Sequence, residues 1–256
     1  MPPLPKEHGA WVMLSVPLLL GAWDVHAALT PTFLLIVATL AAFCAQNLVR
    51  LWLRKRTSHR DLGWLALFAV IGLASIAPLL LQVPRWQDFA VLGGVAVLFL
   101  AVQGVLLLIP ARKRLDRSLW GELAAIPALT LPGPAACALA MPLGTKALVV
   151  WGLSIAFFAS GVFAVKLVLA SARFRKGLTN KERWGIGWPH VLYHALLFVG
   201  LLLLRSPWLG LAFLPALIRA VLTYVQLDGK LPPLKKVGMR EAALALWFGI
   251  IATLAL

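Results

Sequence analysis

Apolar runs of about 18 residues or more recur from one end of this chain to the other, each long enough to cross a hydrocarbon core roughly 30 Å thick. A soluble domain cannot hide so much. Of 256 residues, 61% are hydrophobic and 13% charged, and the mean hydropathy is +0.90. These values place the chain among integral membrane proteins. The runs lack the period-two alternation of a barrel strand, so the expected fold is an all-α polytopic bundle, a single transmembrane domain over 1–256.

About nine spans are predicted, near 9–23, 32–54, 61–82, 89–110, 119–141, 145–171, 187–205, 207–227 and 238–256. The first is short and carries Pro17; a cleaved signal peptide is its rival reading, against which the thin basic flank counts. Lys and Arg test the count. The joints after spans two, four, six and eight read "RKRTSHR", "ARKRLDR", "RFRKGLTNKER" and "KLPPLKKVGMR". The other joints offer little beyond Arg85, Lys146 and Arg205. One missed or invented span would destroy that alternation. It predicts a bacterial inner-membrane protein with its N-terminus in the cytoplasm and its C-terminus outside. The net charge of +15 then belongs to loops facing anionic lipid, and no nucleic acid is expected. Cys44 and Cys137 lie within apolar segments without metal spacing and read as packing residues.

Ionisable groups inside a membrane are costly, so each raises a functional question. Arg50, Lys166 and Arg219 lie inside spans, whereas Glu122 and Glu241 are placed in the first turns of spans five and nine, where the helix dipole favours a carboxylate. Arg50 is followed at i+4 by Arg54 and preceded at i−3 by Asn47; Lys166 is followed at i+7 by Arg173. Snorkelling towards headgroups is the bland explanation. The functional one is a cytoplasm-facing basic pocket lined by Asn47, Arg50, Arg54, Lys166 and Arg173. Arg suits phosphate or carboxylate because its planar fork bonds two oxygens at once.

Three further stretches carry chemistry. In "PKEHGAWVM", Glu7 and His8 stand on the threshold of the first helix, either as an interfacial anchor or as acid/base groups over the pocket. In "WPHVLYHALL", His190 and His194 are one turn apart with Tyr193 between them. The pair suits a metal or haem, or interhelical hydrogen bonds, and no metal is assigned because no Cys or acid accompanies it. "GWP" before it is read as a turn and a helix-starting proline. In "LTLPGPAACALAMP", Pro132, Gly133 and Pro134 break span five in mid-membrane, around a cavity or a packed kink.

"PKEHGAWVM", "VPLLLG", "SGVFAVKLVLASARFR" and "LKKVGMREAALALWFGI" together resemble the YwiC-like family of bacterial membrane proteins over nearly the whole chain. That resemblance implies a topology rather than an activity. The layout is also similar to the UbiA-type intramembrane prenyltransferases, through a proline-bearing first span, polar residues closing span two, and "LIPARKRLDRSLWGELAAIPALTLPGP". It implies a nine-helix UbiA-like bundle with active-site loops after helices two and six. Those enzymes hold Mg²⁺ there on aspartate-rich motifs. Here the corresponding places read "QNLVRLWLRKR" and "VFAVKLVLASARFR", without acids, and Mg²⁺ needs hard oxygen ligands. No cofactor is expected.

The expected function is therefore binding of an amphipathic anion, such as an isoprenoid phosphate, quinone precursor or acidic lipid, met by Arg50 and Lys166 directly. Membrane lipids are the expected partners. Whether the protein is also an enzyme, a transferase without the Mg-binding aspartates, is left open. The alternatives are a transporter or flippase for such an anion, with a part for Arg219, and an assembly factor for a respiratory membrane complex.

Overall fold

The computed structural model describes residues 4–5, 8–53, 58–109, 118–174, 177–227 and 233–256, with His8, Leu234 and Lys235 by backbone alone. The described residues are helical throughout, and the protein is an all-α polytopic membrane protein. The helices are α1 (His8–Asp24), α2 (Leu29–Leu53), α3 (His59–Gln82), α4 (Trp86–Leu108), α5 (Leu119–Thr130), α6 (Pro132–Cys137), α7 (Thr145–Ser171), α8 (Asn180–Leu204), α9 (Pro207–Val225) and α10 (Leu234–Ala252). Each of the nine predicted spans is recovered, the fifth as the pair α5 and α6. Among the described residues, α2, α3, α4, α7, α8 and α9 are long and apolar enough to cross a membrane, and α1 is a shorter apolar helix.

Large exposed tryptophans stand at helix ends: Trp52, Trp120 and Trp184 beside the basic joints, and Trp23, Trp86 and Trp208 beside the charge-poor ones. An amphipathic indole is most stable at headgroup depth. The positions therefore suit two belts, one for each set of joints.

The chain divides into two compact units, Met1–Gly152 and Leu153–Leu256. In the first, α1 packs on α6 around the predicted break. Leu131 N–H turns back to the Ala128 carbonyl, and Pro132 and Pro134 have no N–H to give. The Pro127 carbonyl, left out of the helix ladder, accepts the Trp151 indole N–H at 3.0 Å. Thr130 back-bonds to Ile126 at 2.9 Å. Every residue from Thr130 to Leu139 is buried, so the freed backbone groups lie in protein rather than in lipid, as membrane interiors require. Close approach makes this possible: a Cβ on Gly21 would stand 2.3 Å from the Gly133 carbonyl oxygen. Cys137 fills the same contact, its thiol donating to the Gly21 carbonyl at 3.8 Å. Both cysteines are free and buried, as packing residues should be. At one end of this unit Lys146 pairs with Asp24 at 3.2 Å, and Leu143 N–H donates to Asp88 at 3.1 Å.

In the second unit, Phe157 of α7 stacks on Phe248 of α10 at 4.3 Å, and Phe213 of α9 meets both rings edge-on. Phe213 and Phe248 are wholly buried. This aromatic knot fixes the spacing of α7, α9 and α10 beside the polar residues described next.

Three local expectations are corrected. The helix α8 begins at Asn180, seven residues before the predicted start. Thr179 and Glu182 form a reciprocal capping box, which starts the helix at "TNKE"; Pro189 is then internal, not a helix-starting residue. His190 and His194 accordingly lie well inside the helix. The second correction concerns α10, which begins at Leu234, so Glu241 sits in its interior rather than its first turn. The third is α7, which ends at Ser171. Ser171 bonds back to Val168 at 2.8 Å, and Phe174 N–H closes on the Ser171 carbonyl at 2.9 Å. Arg173 lies in that turn, exposed, and shares no helix face with Lys166.

Candidate functional site

In the second unit, side chains from four helices converge on one polar network. Arg219 of α9, 5% exposed, donates from Nη1 to Glu241 Oε2 of α10 at 2.8 Å. Its Nη2 donates to the hydroxyl of Ser160 on α7 at 2.5 Å. That hydroxyl lies 2.9 Å from His194 Nε2 on α8, and His194 Nδ1 lies 2.7 Å from the His190 carbonyl. A carbonyl can only accept, so Nδ1 carries the proton; in the neutral ring Nε2 accepts from Ser160. His190 donates from Nε2 to the Ala220 carbonyl of α9 at 3.1 Å. Tyr193 donates to the Ala156 carbonyl and stacks on Phe163 at 4.5 Å. Arg240 adds a second cation 3.5 Å from Glu241 Oε1.

Local sequence explains the convergence. Gly161 follows Ser160, and a Cβ there would stand 3.2 Å from Glu241 Oε2, so the carboxylate approaches α7 through a glycine. His190 and His194 are spaced i,i+4 and therefore share one face of α8. At the basic end of α8, Arg183 reaches the last turn of α9. It donates to the carbonyls of Tyr224, Val225 and Leu227 at 3.2, 2.8 and 3.2 Å, acceptors that a helix terminus leaves without intrahelical partners.

This arrangement sorts the predicted candidates. His190, Tyr193, His194 and Arg219 are brought together. Both ring nitrogens of His194 and the Nε2 of His190 are engaged in protein hydrogen bonds, which is the interhelical role rather than that of metal ligands. Among the described residues no group of three His, Cys, Asp or Glu side chains is placed to hold a metal ion. Asn47 and Arg50 are half-buried on α2 of the first unit, Arg50 in the last turn. Lys166, half-buried on α7, and Arg173 belong to the second unit. Glu7 and Arg54 lie outside the described residues, and so does the side chain of His8.

The sequence reading missed Ser160 and misjudged Glu241. The signal for Ser160 was a small polar residue beside a glycine in "FASGVF", the kind of position where membrane helices approach and hydrogen-bond. For Glu241 it was a proline at 233 free to start the helix earlier.

The comparisons with known proteins agree with the resemblance. A family model described as YwiC-like protein matches residues 4–137. The chain belongs to the YwiC-like family. That match covers α1 to α6, the first unit, whereas the network of the second unit lies beyond it. A relative spans both: the chain is 29% identical over 255 residues to "Uncharacterized protein YwiC" of Bacillus subtilis (strain 168), covering 96% of this chain and 94% of that protein. No solved structure matches the chain. This YwiC-like protein thus combines a first unit built around a broken helix with a second built around a buried ion pair.

Proposed function

We propose that this protein is an inner-membrane protein that binds an amphipathic anion, an isoprenoid phosphate, quinone precursor or acidic lipid, from its cytoplasmic side and without Mg²⁺. The observation that carries the proposal is Arg50. It stands in the last turn of α2, one turn from Asn47 on the same face, at a basic joint. A guanidinium there offers a headgroup two parallel charge-assisted bonds, and the C-terminal end of a helix favours the cation. Lys166, half-buried towards the basic end of α7, gives the second unit a cation of its own. The likeness to UbiA-type enzymes rests on the layout of the sequence.

A second reading, transport of such an anion, is favoured by the Arg219–Glu241–Ser160–His194 network. Charged groups held within spanning helices commonly mark ion or proton paths.

Native mass spectra of the detergent-purified protein test the first reading, with wild type beside Arg50→Ala and Lys166→Ala. The expected result is an anionic adduct on wild type that is depleted in both variants. A well-folded wild type free of adducts, even after incubation with anionic lipid, would move the balance to transport at low affinity.

A further inference from the structure

Resting on that reading, we infer that the seam between α1 and α2 is the tail-binding part of the site, and that the ligand is a phosphate monoester carried on a hydrocarbon chain about one leaflet long. The first unit has a half-open cavity of about 140 Å³ between these helices. Leu14, Leu18 and Leu19 wall it on α1, and Ile36 and Leu40 on α2, with the hydroxyls of Ser15 and Thr39 at its edge. Ser15 already donates to the Trp11 carbonyl at 2.8 Å, so its hydroxyl asks no hydrogen bond of an occupant. An apolar chain fits such walls.

The cavity leads to the cation. Ile36, Leu40, Phe43, Asn47 and Arg50 follow one another at alternating steps of four and three and so form one stripe along α2. The stripe faces α1: Phe43 packs with Ala10 and Leu14, and its ring meets Trp11 edge-on at 5.1 Å. At 1.5 Å per residue, Arg50 stands about 15 Å along the axis from Leu40 and about 21 Å from Ile36. One leaflet of a hydrocarbon core roughly 30 Å thick is about 15 Å deep. A chain that starts at a headgroup on Arg50 and crosses the Trp11–Phe43 contact therefore reaches the cavity only if it is leaflet-long.

The headgroup class follows from the donors. The Arg fork takes two oxygens in parallel and the Asn47 amide can take a third. A phosphate monoester offers three terminal oxygens; a carboxylate offers two.

The test uses the full-length protein in nanodiscs of phosphatidylcholine, so that ordinary annular sites are already filled. Hexadecyl phosphate, butyl phosphate and hexadecanoate are titrated against wild type, Ser15→Phe, Leu19→Trp and Arg50→Gln, with binding read by native mass spectrometry. Ser15 and Leu19 are exposed lining residues, so filling the cavity at either leaves the packed interior alone. Hexadecyl phosphate should bind wild type and lose about tenfold or more in affinity with Ser15→Phe and Leu19→Trp, which should leave butyl phosphate unchanged. Arg50→Gln should weaken both phosphates. Undiminished hexadecyl phosphate binding to both cavity variants would overturn the tail site, even if Arg50→Gln still showed the headgroup reading to hold. Hexadecanoate binding as tightly as hexadecyl phosphate would overturn the phosphate assignment. Loss in the cavity variants without loss in Arg50→Gln would defeat the headgroup reading instead, and with it this placement of the ligand.

Discussion

Arg219 and Glu241 meet at 2.8 Å between α9 and α10, with the arginine side chain 5% exposed and the glutamate 21%. Removing one member of such a pair strands the other. Glu241→Leu and Arg219→Leu should each destabilise the protein by about 3 kcal/mol, whereas the double variant should lose less than the sum. Unfolding in detergent, analysed as a double-mutant cycle, measures the coupling. Additive losses would show that the pair is not energetically joined.

Ser160 is the hinge between the ion pair and the histidines. Ser160→Ala leaves Arg219 Nη2 and His194 Nε2 facing each other without an intermediary, which should cost about 1–3 kcal/mol. Neutral substitution with no change in the unfolding midpoint would mean the hydroxyl is dispensable.

Gly21 makes a sharper case, because the atom it approaches is backbone. Gly21→Ala places a methyl 2.3 Å from the Gly133 oxygen, and α1 and α6 must separate. Overpacking of this kind typically costs about 1–3 kcal/mol. Gly9→Ala, with open space around it, is the control expected to leave stability unchanged.

Arg183 should act locally. Arg183→Gln removes charge-assisted bonds to the α9 terminus and should speed hydrogen exchange in the final turn of α9 and the loop after it. The middle of α9 should keep its protection. Uniform acceleration along α9 would argue for a global role instead.

The orientation proposed from the basic joints is open to labelling. Cys44 and Cys137 are buried, so an impermeant maleimide applied to intact cells should react with neither. Arg85→Cys should react and Lys181→Cys should not. The reverse pattern would invert the topology.

Helices were the most legible part of the sequence. A spanning segment must satisfy its backbone internally, so length and apolarity locate it almost without tertiary information, and even the break at Pro132–Pro134 could be placed. Helix starts were less legible. Thr179 and Pro233 are local signals, yet a window that rewards hydrophobicity passes over the polar first turns they begin. The site was legible as suspects rather than as a group. His190, His194 and Arg219 each stood out as costly in lipid, but nothing in one sequence says that α7, α8, α9 and α10 bring them to Glu241 and a serine. Ser160 cost nothing to overlook, since a hydroxyl can satisfy itself within its own helix.

The hydrogen-bond path from Arg219 through Ser160 and His194 to the His190 carbonyl is a one-way circuit. A guanidinium can only give and a carbonyl can only take, so both ends are pinned and each hydrogen between them has a single allowed direction. One extra proton on His194 would break that order. Ser160 would then receive from both neighbours and its own hydrogen would have to find another acceptor. Events at the imidazole are thereby felt at the arginine two bonds away, and through it at the helix that carries Glu241.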